Sequence, residues 1–219
     1  MIRKITIENF YSIKDEIILD FKVPKKAPDL DAFHVNENEE RFPKVLGVFG
    51  HNASGKTNLV KALAFLRYFI INSYSLAKDE KIPIVSYSFC DEWKSRPSKF
   101  SIEIESEGLV FTYKLHLDVN SVLYEELRRK GVRAALFSRK GKKVNSKNKK
   151  IEKLSGVISE KSSLLSFCFH NDIKIGLIAL PSLKFFNINS NVTDMGRDNV
   201  TSSLLDKIFE LVDRNHDTD

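Results

Sequence analysis

The eight residues Gly50-His51-Asn52-Ala53-Ser54-Gly55-Lys56-Thr57 decide which fold this chain predicts. They match the pattern G-x-x-x-x-G-K-[ST] of a phosphate-binding loop at every specified position. Such a loop needs a strand before it and a helix after it. The apolar run at residues 45–49 favours a buried strand, and the spacing of apolar side chains after Lys56 favours an amphipathic helix. The loop and its flanks therefore predict an α/β fold of the P-loop nucleotide-binding class.

The residue types of the loop suit a nucleoside triphosphate with Mg²⁺. Glycines allow backbone angles that other residues resist, and successive N–H groups at the start of a helix form an anion site. Lys56 is expected to reach the β- and γ-phosphates as the catalytic residue, and the Thr57 hydroxyl is expected to bind the metal. We expect ATP and Mg²⁺ as cofactors, with nucleotide contacts from Gly50, Asn52, Ala53, Ser54, Gly55, Lys56, Thr57 and Asn58.

Hydrolysis needs a further carboxylate for the metal and a group that positions water, and no stretch of the sequence supplies them in the expected pattern. The apolar run at residues 176–180 is followed by Pro181 rather than an acid. Residues 208–213 end in an aspartate, but Glu210 interrupts the run and the apolar spacing is helical. The sequence therefore predicts ATP binding with little turnover by this chain alone.

Outside the loop, the spacing of apolar residues predicts a mixed or antiparallel sheet together with helices. Alternation at Ile5 and Ile7 predicts a strand that turns at residues 9–12, with a hairpin partner at residues 16–23. Four later strands are expected, at residues 100–105, 111–117, 122–128 and 134–138. Residues 24–41 are expected to be a loop, residues 139–150 a solvated loop or hairpin tip, and residues 164–180 and 200–212 helices.

The length fits a single domain over residues 1–219. We expect three parts in it. Residues 1–88 hold the first hairpin, the phosphate loop and the long helix. Residues 89–153 form an antiparallel β subregion with a basic loop, and residues 154–219 form a helical region.

The positive charge of the chain is concentrated in one segment. The chain carries 35 Lys and Arg against 29 Asp and Glu, a formal net charge of +6. Residues 128–153 hold twelve of the basic residues and one acid, Glu152, and so carry +11, which leaves −5 for the rest. This density suits contacts with nucleic-acid phosphates, and it equally suits a solvated surface loop. The segment has only Phe137 as an aromatic residue for stacking on single-stranded bases.

Other residue types exclude several classes of protein. Cys90 and Cys168 make neither a disulfide framework nor a zinc pattern, and we expect buried, reduced thiols in a cytoplasmic protein. The five histidines show no metal-ligand spacing. The most apolar stretch, residues 59–76, contains Lys61 and Arg67, so no membrane association is expected.

Two groups of residues resemble a known family. The run Ile5-x-Ile7-x-Asn9-Phe10-x-Ser12, followed by Gly50-x-Asn52-x-Ser54-Gly55-Lys56-Thr57-Asn58, is similar to ABC-type ATPases of chromosome maintenance and recombination repair. A second group resembles a bacterial branch of AAA-family ATPases that are similar to the overcoming-lysogenization-defect proteins and occur in phage-defence operons. Its residues are Phe89, Asp91, Pro97-Ser98-x-Phe100-x-Ile102-x-Ile104, Glu125-x-Leu127 and Leu136-Phe137-Ser138-Arg139. The resemblance spans residues 1–190.

The resemblance implies an ABC-type head, in which an α/β nucleotide lobe joins an antiparallel sheet. Two such heads sandwich ATP in a homodimer or larger oligomer and switch a partner effector, such as a nuclease or toxin, in phage defence or a DNA-related process. Tyr11 to Lys14 would lie near the nucleotide, although a plain hairpin turn explains these residues equally well.

Part of the family pattern is missing from this sequence. Leu154-Ser155-Gly156 begins like the ABC signature, but Val157 replaces the second glycine. The other elements of the family's ATP site normally lie beyond the last residue of this chain. We therefore expect either an N-terminal fragment or a naturally short member.

Two other function classes stay open at this stage. A complete small P-loop kinase or NTPase would use the same loop, although a GTPase would need Asn-Lys-x-Asp and Asn148-Lys149-Lys150 is followed by Ile151. A nucleic-acid-binding module would use residues 128–153, and this activity is compatible with nucleotide binding.

Overall fold

The computed structural model describes residues 1–106, 108–171 and 173. All of them belong to one compact unit, Met1–Phe186. The helix predicted at residues 200–212 and most of the second half of the helix predicted at residues 164–180 lie outside the described residues. The assignment of the whole chain to a single domain stays a prediction.

Nine strands and four α-helices form the described part of the chain. The strands are β1 Ile2–Glu8, β2 Ile17–Asp20, β3 Phe33–Val35, β4 Arg41–Pro43, β5 Ser98–Ser106, β6 Leu109–Leu117, β7 Val122–Arg129, β8 Phe137–Lys140 and β9 Lys143–Asn145. The helices are α1 Lys56–Asn72, α2 Asp91–Lys94, α3 Lys149–Glu152 and α4 Leu164–His170. The protein is thus α/β, as predicted, with few helices.

Seven strands form one sheet in the order β2-β1-β5-β6-β7-β8-β9, and every neighbouring pair in it is antiparallel. The predicted hairpins β1–β2 and β5–β6 are confirmed, with Ile5 opposite Leu19 and Ile102 opposite Tyr113. Strand β1 also pairs with β5, which lies about ninety residues later in the chain, with Ile5 opposite Ile102. This long-range pairing places the phosphate-loop region, which follows the β1–β2 hairpin in the chain, beside the later β subregion.

The core joins the inner face of the sheet to α1. Alternate residues of β1 and β5 are buried, as the period of two predicts. Helix α1 buries Ala62, Leu66, Phe69 and Ile70, which belong to the predicted apolar face. The rings of Phe65 on α1 and Phe100 on β5 have centroids 5.4 Å apart. The helix that follows the phosphate loop is therefore anchored on the sheet by aromatic packing.

Two predicted loops contain short strands. The segment 24–41 includes β3, which pairs with β4 in a separate two-stranded sheet. The segment 139–150 includes the end of β8 and all of β9, which turn at Gly141 with φ +52°. The hairpin-tip alternative for this second segment is confirmed, and the lysines of the segment are exposed to solvent. Both hairpins are held by contacts with distant residues, which local composition does not reveal.

The strand predicted at residues 45–49 is wrong. These residues have no regular structure, and Val45 is 86% and Phe49 93% exposed. A continuous apolar run is stable as a strand when neighbours cover both of its faces. Neither sheet of the described residues includes this run, so it enters the phosphate loop as irregular backbone.

Crossing a lipid bilayer takes about 20 apolar residues in one helix. No helix within the described ranges meets that requirement.

Candidate nucleotide-binding site

Gly55 forms the junction between the loop and α1. It is the N-cap of the helix and has φ +88°, in the left-handed region that favours glycine. The Leu59 amide donates the first helical hydrogen bond to the Gly55 carbonyl at 3.1 Å. A Cβ on Gly55 would also lie 3.3 Å from Ser12 Oγ. The backbone angle therefore favours glycine before Lys56, and a Cβ there would require the Ser12 hydroxyl to shift slightly.

The loop closes around the ammonium group of Lys56. Lys56 Nζ donates to the carbonyls of Gly50 at 2.8 Å and His51 at 2.5 Å, and to Ser54 Oγ at 3.3 Å. Gly50 permits this close turn, because a Cβ there would lie 2.8 Å from Ser54 Oγ. The lysine thus holds a positive charge at the mouth of the loop, on contacts that an anion can replace.

The first turn of α1 presents free backbone donors. The first N–H groups of any α-helix have no partner within the helix, and no side chain among the described residues caps this one. The helix dipole adds partial positive charge at the same end. Lys56 and the exposed Thr57 belong to this turn. The arrangement of donors, dipole and lysine suits a phosphate chain.

The turn between β1 and β2 packs against the loop. Asn58 Nδ2 donates to Ser12 Oγ at 2.7 Å, which ties the start of α1 to this turn. The buried Asn9, which has φ +56°, fixes the conformation of this turn. The side chain of Asn9 donates to the carbonyls of Trp93 and Arg96 at 3.0 and 2.8 Å and accepts from the Tyr87 amide at 2.9 Å.

A cavity of about 660 Å³ lies between the turn and the loop. This volume falls within the range of small-molecule sites. Its polar and charged lining residues are Ser12, Lys14, Asp15, His51, Ser54 and Lys56. Its apolar lining residues are Ile13, Ile17, Val48, Phe49 and Leu59. The cavity therefore offers cations for phosphates and apolar side chains for a base or ribose.

The structure brings together most of the predicted site. Gly50, Ser54, Gly55 and Lys56 line the cavity, and Asn58 contacts its wall through Ser12. Asn52, Ala53 and Thr57 belong to the same loop and helix start but are not in the lining. Their nucleotide contacts, and the Thr57 contact with Mg²⁺, stay predictions.

The sequence did not predict that the carboxylate of Asp15 lies in this cavity. Asp15 lines it, next to Lys14, because the β1–β2 turn folds over the loop. The proximity arises from tertiary structure alone, since some forty residues separate Asp15 from Lys56. Among the described residues, no group of three His, Cys, Asp or Glu side chains could by itself hold a metal ion. A metal ion bound here would therefore need oxygen atoms from a bound anion in addition to those from the protein.

Two other motifs of the sequence have structural roles. Asn148, the start of the failed guanine-reading pattern, is the N-cap of α3, where its side chain accepts from the Lys150 amide at 3.0 Å. Ser155, within the signature-like run, exchanges hydrogen bonds with the backbone of Val144 at 3.0 and 2.9 Å. Both residues stabilise the β8–β9 region.

Glu125 and Arg139, which contribute to the family resemblance, form a fully buried pair. Glu125 accepts from the Tyr113 hydroxyl at 2.9 Å and from the Leu164 amide at 2.8 Å. Burial raises the pKa of Glu125, and the charge of Arg139 opposes that shift. Arg139 donates to the Ser162 carbonyl at 2.6 Å. The pair therefore fastens the start of α4 to the inner face of β7 and β8.

The sequence was compared with protein-family models and with curated proteins. No family model matches the chain, and no curated protein matches it.

Proposed function

We propose that this chain binds ATP with Mg²⁺ in the cavity between the β1–β2 turn and the phosphate loop. The observation that carries the proposal is the loop geometry: Gly55 in the left-handed region, free N–H groups at the start of α1, and the Lys56 ammonium within 3.3 Å of three loop oxygens. When nucleotide binds, its phosphate oxygens would replace these loop oxygens as hydrogen-bond acceptors of Lys56. Thr57, on the first turn, and Asp15, in the cavity wall, would be the residues that hold the metal.

The proposal extends to an ATP-dependent switch with an ABC-type head. The antiparallel β5–β6–β7 sheet beside a P-loop helix is compatible with that resemblance. In this proposal two or more copies associate through bound ATP and switch a partner effector, such as a nuclease or toxin. Within the described residues the cavity contains one carboxylate, Asp15, which supports binding with little turnover by the chain alone.

A guanine nucleotide is the weaker alternative. Asn148, which would read guanine, has its side-chain oxygen occupied by the Lys150 amide and belongs to α3 rather than to the cavity. A kinase-type P-loop enzyme would share the same loop, so the choice between switch and kinase rests on turnover measurements rather than on binding.

Calorimetry with Mg-ATP and Mg-GTP tests the proposal on the parent chain and on Lys56→Ala. We expect ATP to bind the parent and to lose at least tenfold in affinity with Lys56→Ala, because the charge-assisted contacts to phosphate disappear. Lys78→Ala is the matched control, since Lys78 is exposed and does not line the cavity.

Thermal unfolding of both variants verifies that the fold is intact. Equal ATP affinity in Lys56→Ala and the parent would contradict the proposed site. Rapid phosphate release by the parent alone would leave the binding site standing but contradict the low-turnover switch.

A further inference from the structure

Phe49, the residue directly before the phosphate loop, has the most exposed large hydrophobic side chain among the described residues, at 93%. The phenylalanines of the core behave differently. The ring of Phe65, for example, is buried and packs against the rings of Phe69 and Phe100. No such ring contact joins Phe49 to another aromatic side chain of the described residues. Its phenyl ring is therefore free to contact a ligand.

The position of Phe49 places that free ring at the candidate nucleotide site. Phe49 lines the cavity next to four aliphatic side chains. Of the described residues in this lining, Phe49 alone is a Phe, Tyr or Trp. It is bonded to Gly50, whose carbonyl accepts from Lys56 Nζ at 2.8 Å. The ring thus belongs to the apolar side of the cavity and is attached one residue from the proposed phosphate contacts.

The backbone of residues 45–49 keeps the ring accessible. Among the described residues, no strand of either sheet pairs with this run, so no neighbouring strand covers Phe49. The ring lies against Gly47, where a Cβ would be only 2.7 Å from Phe49 Cε2. A side chain at position 47 would have to displace the ring. Glycine at this position therefore leaves room for the ring as it stands.

The two sides of the cavity together define the chemistry of a fitting ligand. Lys14 and Lys56 line it and suit an anion, whereas the Phe49 ring suits a flat aromatic group. An apolar small molecule would leave the lysines without a counter-charge, and inorganic polyphosphate would leave the ring in water. A nucleotide has both an anionic end and an aromatic end, and every base has a face that can stack on an aromatic side chain.

We propose that Phe49 stacks on the base of the bound nucleotide and favours purines, whose two fused rings offer a larger stacking face than one pyrimidine ring. The inference rests on the proposed nucleotide binding and adds the residue that holds the base. In it, Lys56 supplies affinity for the phosphate chain and Phe49 supplies affinity for the base. The two contributions are therefore separable by ligands that lack the base.

Calorimetry with Mg-ATP, Mg-CTP and Mg-tripolyphosphate separates the base from the phosphates. Phe49→Leu keeps an apolar side chain and removes the ring. We expect it to weaken ATP binding at least fivefold, the lower end of what one base–aromatic stack contributes, and to change tripolyphosphate binding by less than about twofold. Phe49→Trp should bind ATP at least as tightly as the parent. Phe89→Leu is the matched control, since Phe89 is 77% exposed and does not line the cavity.

Fluorescence gives a second measurement, which a purely structural role of Phe49 would not affect. The chain has one tryptophan, Trp93. In the double variant Phe49→Trp/Trp93→Phe, the indole introduced at position 49 is therefore the only one. We expect Mg-ATP to quench its emission by stacking and Mg-tripolyphosphate to leave the emission unchanged. Equal quenching by both ligands would contradict a contact with the base.

The other outcomes distinguish this inference from the proposed function. Equal ATP affinity in Phe49→Leu and the parent would overturn it, and so would an equal loss of ATP and tripolyphosphate affinity, because the ring would then shape the loop. A parent that binds ATP no more tightly than CTP or tripolyphosphate would overturn the inference and leave the phosphate site standing. A parent that binds neither ATP nor tripolyphosphate would overturn the proposed function as well. Thermal unfolding of each variant verifies that the fold is intact.

Discussion

At the scale of single residues, the surroundings and not the backbone conformation distinguish the glycine of the site from another glycine. Gly55 and Gly131 have nearly the same positive φ, +88° and +80°. They differ in surroundings. A Cβ at Gly55 would meet Ser12 at the cavity wall, whereas a Cβ at Gly131 would have no neighbour within 4 Å. The two positions therefore allow the cost of backbone strain to be measured apart from the cost to the site.

We predict that Gly55→Ala and Gly131→Ala each lower the free energy of unfolding by about 1–2 kcal/mol, because both force alanine into the left-handed region. Only Gly55→Ala should also weaken Mg-ATP binding, since it displaces the contact between Ser12 and Asn58. Urea denaturation and calorimetry on both variants make the comparison. Unchanged ATP affinity in Gly55→Ala would argue against the role assigned to this turn.

The residue scale is also where sequence reasoning was most successful at the site. The pattern alone identified Gly50, Gly55 and Lys56, and the structure explains why each type stands there. The phosphate-loop pattern did not identify Lys14 and Asp15, which lie in the same cavity. The family resemblance placed Tyr11 to Lys14 near the nucleotide, and it did not extend to Asp15. Their sequence context is an ordinary turn, and their proximity to Lys56 is created by the pairing of β1 with distant strands.

At the scale of elements, a buried ion pair joins the sheet to the segment before α4. Arg139 has four oxygen acceptors: the carboxylate of Glu125 and the carbonyls of Gly141, Ser159 and Ser162. These acceptors belong to β7, to the β8–β9 turn and to the segment that leads into α4. Loss of the guanidinium would leave Glu125 buried without its counter-charge.

We predict that Arg139→Ala lowers the free energy of unfolding by about 3–5 kcal/mol, as expected for breaking a buried pair from one side. Lys140→Ala, one residue later and exposed, should change it by less than about 0.5 kcal/mol. Chemical denaturation of the two variants tests the difference. Comparable small effects in both would show that the pair does not stabilise this docking.

The failure at residues 45–49 also belongs to this scale. An apolar run predicts a buried strand only if other strands are available to cover it. Among the described residues, no strand of either sheet pairs with this run. The composition of the run is apolar, as a buried strand requires, but composition does not show whether other strands pair with the run.

At the scale of the whole molecule, charge links the small β3–β4 sheet to the large one. Arg3 of β1 pairs with Glu40 at 2.6 Å and with Glu105 of β5 at 2.5 Å. Lys22 also donates to Glu40 at 2.6 Å. The hydrogen bonds from Lys22 and Arg3 lower the pKa of Glu40 to about 2.

A carboxyl group with a lowered pKa stabilises the fold above its unfolded pKa and loses that contribution as pH falls towards its folded value. We predict that the parent loses stability between about pH 4.5 and pH 2 partly through Glu40. Glu40→Gln should be less stable than the parent at pH 7 and should converge with it near pH 2. Urea midpoints across this range measure the effect. Glu39→Gln, an exposed neighbour, should instead run parallel to the parent.

The sequence by itself determined what depends on neighbouring residues: the phosphate-loop pattern, the apolar face of α1, and the alternation of β1, β5 and β6. These features follow from local periodicity and from the chemistry of a few residue types. The tertiary structure decided what depends on distant partners. Asp15 lines the cavity, Arg139 is buried in the core although the other basic residues of its segment are exposed, and no strand of the described residues covers residues 45–49. The physical reason is that burial of charge and coverage of a strand are set by non-local contacts, which a linear pattern does not contain.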